Sequence, residues 1–366
     1  MHFSRRNFVQ LAGMTALLPS SLLKAQSSYV PESLGTSNTV ATAKVALVKG
    51  ENRRKNIYEA LVSIDDQILP ALKRKKSVVI KPNCVSDSFQ LAASHVDALN
   101  GILDYLEPRF RGPIVIAESS AGDSMQAFEH FKYGQLVSER KSQKISLVDL
   151  NRDGKYELIS VLDNDLHPVP VRLAAALVDP NAFVISAAML KTHNAVVATM
   201  STKNMLLGAP LHSADRKGWS DKRKYHFSVR HTHYNMLLTA QRMQPHWGLA
   251  VIDGFEGMEG NGPAWGTPVH SQIAIASTDL IAEDRVGLEA MGVNPEWVGY
   301  LRYCAQFGLG QFDLSKINIV GPSVASVAKK YQLHPDIQKE LQWMEPLQKT
   351  SPSLGMLPIP FTVDRC

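Results

Sequence analysis

Several short apolar runs with no polar alternation mark the folded part of this chain. The stretches "KVALVKG", "SVVIK", "IVIAE" and "AFVISAAML" are rich in β-branched residues and too short for typical helices. They leave no polar face for water, so each reads as a strand covered on both sides. On this pattern strands are expected at 44–49, 77–81, 114–119, 145–150, 182–189, 249–253, 270–277 and 317–321. Helix-period stretches fall near 53–69, 95–107, 124–139, 195–207, 232–243, 280–291 and 296–306. The alternation predicts an α/β fold, a mostly parallel doubly wound sheet with helices on both faces. A polar stretch, "LNRDGKYELISVLDNDLHPVP", interrupts it and holds the turn signal Asp153-Gly154. There the chain is expected either to divide into two lobes or to carry a hairpin insertion. The α/β domain is placed at 44–325, with a helical and then Pro-rich extension over 326–366.

The N-terminus carries a different pattern. In "SRRNFVQLAGMTALLPSSLLKAQ", Arg5-Arg6 and Phe8 precede a weakly apolar run from Val9 to Leu18, and small residues follow near Ala25. This resembles a twin-arginine export signal over 1–26, ahead of a polar linker over 27–43. The apolar run is shorter than the ~20 residues a membrane-spanning helix needs, so no transmembrane segment is expected in the mature chain. The expectation is a periplasmic protein exported already folded, with the twin-arginine machinery as a partner.

Charge and cysteine content narrow the function classes. The 366 residues carry 39 Lys and Arg against 34 Asp and Glu, a net +5, too mild to point to nucleic acid. Much of the excess is local, with Arg216, Lys217, Lys222, Arg223, Lys224 and Arg230 set against Asp215 and Asp221. This segment reads either as a solvated basic loop or as a lid that brings cations to an acidic ligand. Three cysteines without a CxxC exclude a cysteine-ligated iron–sulfur cluster within the chain and leave at most a Cys84–Cys304 bridge. The pair His231-x-His233 would chelate a metal only on an extended strand, and the pattern after it is helical, so no metal site is assigned. No Walker sequence or helix-opening GxGxxG occurs, so no nucleotide or other cofactor is assigned.

In open α/β sheets ligands collect at the carboxyl ends of the strands. Here those ends read Lys81-Pro82-Asn83, Glu118-Ser119-Ser120, Lys191-Thr192-His193 and Asp253-Gly254, the last leading into a glycine run with Glu259, Gly260 and Gly262. Singly, Asn83 or Ser119 is an ordinary cap or turn residue. Together on one rim they predict a pocket. Lys203-Asn204 lies inside an otherwise apolar helical stretch, where a lysine must snorkel outward or meet a buried acceptor. A straight helix from His193 to Lys203 would hold their backbones about 15 Å apart. A break at Met200-Ser201-Thr202 would instead bring Lys191 and Lys203 together.

With these residues in place, the chain resembles the domain-of-unknown-function family 362. The matching pieces are "VVIKPN", "IVIAESSAG", "AAMLKTHNAVVATMSTKNMLLGAP", "VIDGFEGMEGNGP" with "WGTPV", and "ASTDLIAEDRVGLEAMG", in order from Val78 to Gly292. Some members of that family are labelled iron–sulfur proteins for cysteine clusters that this chain lacks. The resemblance implies that Lys81, Asn83, Glu118, Lys191, His193, Lys203, Asn204, Asp253, Glu259, Asp279 and Asp284 form a set. Asp279 also reads as a helix cap, and Asp284 as a residue that orients a neighbour.

The resulting expectation is an enzyme acting on a small anionic ligand. Lys81, Lys191 and Lys203 would bind its oxygens, with Asn83, Ser119, Asn204, Asp253, Gly260 and Gly262 around it. His193 would carry protons, and Glu118 or Glu259 would orient it or act as base. Lysines close together also depress one another's pKa, which opens base or Schiff-base chemistry. The alternatives are a non-catalytic periplasmic binding or accessory protein and a metal- or redox-linked maturation factor.

Overall fold

The computed structural model describes residues 42–345, all within one compact unit. The twin-arginine-like segment, nearly all of the linker and the Pro-rich tail lie outside the described residues. In chain order the elements are β1 (Ala43–Lys49), α1 (Arg53–Ser63), α2 (Asp65–Leu72), β2 (Ser77–Lys81), α3 (Val96–Leu106), β3 (Pro113–Glu118), α4 (Ser124–His130), α5 (Tyr133–Glu139), β4 (Lys144–Asp149) and α6 (Leu150–Asp153). The hairpin β5 (Tyr156–Leu162) and β6 (Pro168–Ala174) follows, then β7 (Ala182–His193), β8 (Val197–Thr199), α7 (Ser201–Gly208), α8 (Val229–Met243), β9 (Trp247–Glu259), β10 (Thr267–Ser277), α9 (Leu280–Ala290), α10 (Gly299–Gln306) and β11 (Ile317–Val320).

The main sheet runs β11-β1-β10-β9-β7-β2-β3-β4, with β8 folded back on β7. Only β10 and β8 run antiparallel to their neighbours, so β1, β2, β3, β4, β7 and β9 all point their carboxyl ends at one rim. The uniformly apolar strands have the reason inferred from their pattern. Alternate residues enter two separate cores: Val45 and Leu47 pack on the α7–α10 side, while Ala46, Val78 and Ile80 pack with α1–α5. The polar interruption is a hairpin insertion, a separate two-stranded sheet of β5 and β6, and the two-lobe alternative is set aside. No helix among the described residues is long and apolar enough to cross a membrane.

The largest departure from expectation lies after β7. This strand continues to His193 and turns into β8, pairing Lys191 with Thr199 and His193 with Val197. The helix expected at 195–207 therefore starts only at Ser201. No side chain at the N-cap, Met200, caps it. Instead Asp284 on α9 accepts from Ser201 N at 2.9 Å and Thr202 N at 3.0 Å, satisfying two of the orphan amides of a helix start. Val197 takes a positive φ of 68°, a costly conformation for a β-branched residue. The Glu340 carboxylate accepts its N–H at 2.7 Å.

Candidate active site at the strand ends

A cavity of about 210 Å³ opens where β2, β3 and β7 end. From β2 and its exit come Lys81 and Asn83, from β3 Glu118 and Ser119, from β7 His193, and from α7 Lys203 and Asn204. Seven of the residues expected at the site thus line one cavity. The late start of α7 is what allows this, because the β7–β8 hairpin turns the chain back and sets Lys203 beside His193. The segment between α7 and α8 adds Lys222 and His226. Of the six cations in that basic stretch, Lys222 lines the cavity.

The polar side chains are wired together. Glu118, buried, accepts from Lys81 Nζ, Cys84 N (2.9 Å) and Ser119 N (2.8 Å). Its oxygens are committed, which fits a fixed anion anchoring Lys81 and not a base. Lys81 also donates to Pro82 O at 3.0 Å. Asn204 Nδ2 donates to Lys81 O and Ser186 Oγ, both at 3.1 Å, and Asn204 Oδ1 accepts from Asn83. Ser119 Oγ donates to Gly208 O. Lys222 Nζ donates to Leu207 O (3.1 Å), Gly208 O (3.3 Å) and Ser119 Oγ (3.3 Å). Lys191 is buried behind the cavity wall, donating to Asn83 Oδ1 and Ala92 O, so it supports Asn83 from below. Lys203 has no hydrogen bond or ion pair to any described residue.

Desolvation dominates the protonation states. Burial lowers the pKa of Lys191, Lys203 and Lys222 to about 7 each. Lys191 and Lys222 push Lys203 further down, while Glu118 opposes the shift of Lys191 and of Lys222. Burial, then Lys203, lowers His193 well below the usual imidazole range, so its ring is neutral. His193 Nδ1 accepts from Ala195 N at 3.0 Å, which leaves the ring proton on Nε2. That nitrogen is a hydrogen-bond donor toward a ligand. The expected role of proton carrier needs a free lone pair there, and the tautomer removes it.

Besides Lys191, four expected residues fall outside the cavity lining. Asp253 is buried against Arg53 (3.1 Å) and accepts from Phe255 N; burial raises its pKa, and Arg53 opposes the rise. Glu259 accepts from Gln332 N at 2.8 Å, so it does not orient His193. Gly260 has φ of 69° and pairs with Gln332 O, while its own carbonyl accepts from Thr192 Oγ1. A Cβ on Gly262 would sit 2.1 Å from Thr192 O. The glycine run thus allows a loop to close tightly over the end of β7, and only Pro263 from it borders the cavity.

Other expectations resolve locally. Asp279 caps α9 through Ile281 N and Ala282 N. His231 and His233 lie on α8, where His231 Nδ1 meets Ser228 Oγ and buried His233 accepts from Tyr300 N. Cys84 and Cys304 are separate buried free thiols, so the bridge is not formed.

Among solved structures, the chain is similar to a protein from Thermotoga maritima, at 10% identity and a TM-score of 0.41 over 71% of this chain and 59% of that one. It is also similar to the lactate racemase apoprotein from Thermoanaerobacterium thermosaccharolyticum, at 13% identity and a TM-score of 0.36 over 58% of this chain and 51% of that one. It therefore spans less than two thirds of either. No curated protein matches the sequence. The family described as a domain of unknown function, DUF362, matches residues 78–289, a span that runs from β2 into α9 and holds every cavity-lining side chain named above, and the chain belongs to this family.

Proposed function

We propose that this protein is an exported enzyme whose strand-end cavity takes a small anion, a carboxylate or phosphate compound, and acts on it through lysine chemistry. The supporting observation is a charge imbalance. Lys81, Lys203 and Lys222 line the cavity with Lys191 behind it, and among the described residues Glu118 is the one carboxylate in the lining. An anion entering supplies the missing countercharge, and charged hydrogen bonds to it are worth about 1.5–3 kcal/mol each. The cavity, at about 210 Å³, lies below the usual ~300–1,000 Å³ of drug-sized sites, which favours a small acid over a nucleotide. Export rests on Arg5-Arg6 and Phe8 and makes the periplasm the working compartment.

The test is a thermal-shift screen of the wild type, Lys203→Met and Lys222→Met against phosphate, sulfate, acetate and pyruvate. Methionine keeps the apolar stem and deletes the charge. At least one anion should raise the wild-type midpoint while shifting both variants less. If no anion separates the wild type from the variants, the lysines are structural and the proposal fails.

A further inference from the structure

We infer that Lys203 is a nucleophile that forms a covalent iminium with a small 2-oxo acid in the strand-end cavity. The inference rests on the anion-pocket reading and names the substrate class for it.

The argument starts from what each lysine nitrogen already touches. Lys81 is held by Glu118 and Pro82 O, Lys191 by Asn83 and Ala92 O, and Lys222 by three acceptors. Lys203 alone of the four has none among the described residues, although it lines the cavity. A permanently charged ammonium at such a place would be left unpaired, which is expensive. Three features favour its neutral amine: the positive end of α7, where it sits in the first turn, and the partly protonated Lys191 and Lys222, each of which, unlike Lys203, has acceptors to hold a proton on it. The lowering of its pKa to about 7 agrees with this. A lysine that is substantially unprotonated at neutral pH has the free lone pair that carbonyl addition requires.

The surroundings select the electrophile. His193 offers Nε2–H as a neutral donor able to polarise a carbonyl oxygen. Asn83 and Lys222, the latter by exchanging a 3.3 Å bond to a neutral acceptor, Ser119 Oγ or Gly208 O, for an anion, can take a carboxylate on the same cavity. A carbonyl next to a carboxylate, in a molecule small enough for about 210 Å³, describes a short 2-oxo acid. The Lys203 nitrogen adds its lone pair to the carbonyl carbon, and the C–O π electrons move to oxygen, which takes a proton, giving a carbinolamine. Loss of that hydroxyl as water forms the C=N bond. Amine, ketone and one proton thus give iminium and water, with no change of oxidation state. The iminium then serves as an electron sink for bond cleavage at the adjoining carbon.

The test treats the full chain with pyruvate near pH 7 and sodium cyanoborohydride, which reduces an iminium to a stable secondary amine, and maps adducts by peptide mass spectrometry. Pyruvate binding is measured separately by calorimetry. One carboxyethyl group per chain on Lys203 is expected, with protection by excess phosphate and loss of the adduct in Lys203→Arg, which keeps a long donor side chain but has no amine able to add to a carbonyl. Adduct spread over surface lysines, or an unchanged yield in Lys203→Arg, overturns the inference. Binding without any adduct also overturns it while leaving the anion pocket standing, and absence of both removes the pocket reading as well.

Discussion

Replacing Asp284 by Asn tests how α7, and with it Lys203 and Asn204, is held in place. Asp284 is fully buried and accepts from Ser201 N and Thr202 N. Burial nevertheless raises its pKa from an ordinary 3.8 to about 7, against the pull of those donors. A carboxyl whose pKa is raised on folding contributes most stability when protonated. Its contribution is whole below 3.8 and is lost as pH climbs from there to about 7. At about 1.4 kcal/mol per pH unit, the loss across that window is about 4 kcal/mol. Asn keeps one acceptor and turns an NH2 group toward the other amide, a cost of roughly 1–2 kcal/mol. The variant should therefore be less stable than the wild type near pH 4 by that amount and more stable near pH 8 by roughly 2 kcal/mol. Urea unfolding of both proteins at the two pH values measures the difference, part of which is the release of the neighbouring Glu283, raised by burial and then by Asp284 itself. A variant that loses more ground at pH 8 than at pH 4 would refute the reasoning and make Asp284 an ionised cap that stabilises at neutral pH.

Two further outcomes are expected. Gly208→Ala would place a Cβ 2.3 Å from Lys81 Cε and 2.7 Å from its Nζ, forcing Lys81 off Glu118 at about 1–3 kcal/mol; the anion-induced thermal shift should shrink, and an unchanged shift removes Lys81 from the site. Arg5-Arg6→Lys-Lys should hold the precursor in the cytoplasm, because the pathway reads the guanidinium pair and not charge alone; fractionation with undiminished periplasmic yield sinks the export proposal.

What the sequence made legible follows from locality. Strand burial depends on short runs of apolar residues, so seven of the eight expected strands recur with shifted ends, and the eighth, at 77–81, recurs unshifted as β2. The carboxyl-end rule then gathered Lys81, Asn83, Glu118, Ser119 and His193 without any structure. Failures came where a distant residue decides the backbone. The apolar stretch from Ala195 to Leu207 has a helical pattern, yet its first half is a hairpin with Val197 at positive φ, bonded to a carboxylate from residue 340. Its second half starts where Asp284 can cap it. Lys222 was readable only as one cation among six in a basic stretch; its place on the cavity follows from the backbone carbonyls at the end of α7, which no spacing rule reveals. Asp253 and Glu259 carried the right residue types on the right rim, but Arg53 and Gln332 N take them up.

The same engagements bear on why so many cations face one cavity. A fold selected for stability alone would turn Asp253 or Glu259 toward the lysines, since unpaired buried charge is among the costliest features a core can carry. Here the nearby carboxylates serve elsewhere. Glu118 is consumed by Lys81 and two backbone amides, and Asp284 by the start of α7. The lysine cluster is thus left short of negative charge by the wiring of the residues around it, and part of it relaxes by shedding protons. The two ways of relieving such a cluster are deprotonation and an incoming anion, and they compete. An anion held on Lys222 offsets the charge that re-protonation restores there, so Lys203 can stay a free amine while the carboxylate is fixed beside it. Ligand binding and attack are then coupled through the position of the carboxylate, which predicts that Lys222→Met impairs trapping at Lys203 beyond its effect on pyruvate affinity. Trapping yield compared at equal pyruvate occupancy measures this, and equal yields for wild type and variant would disconnect the two lysines.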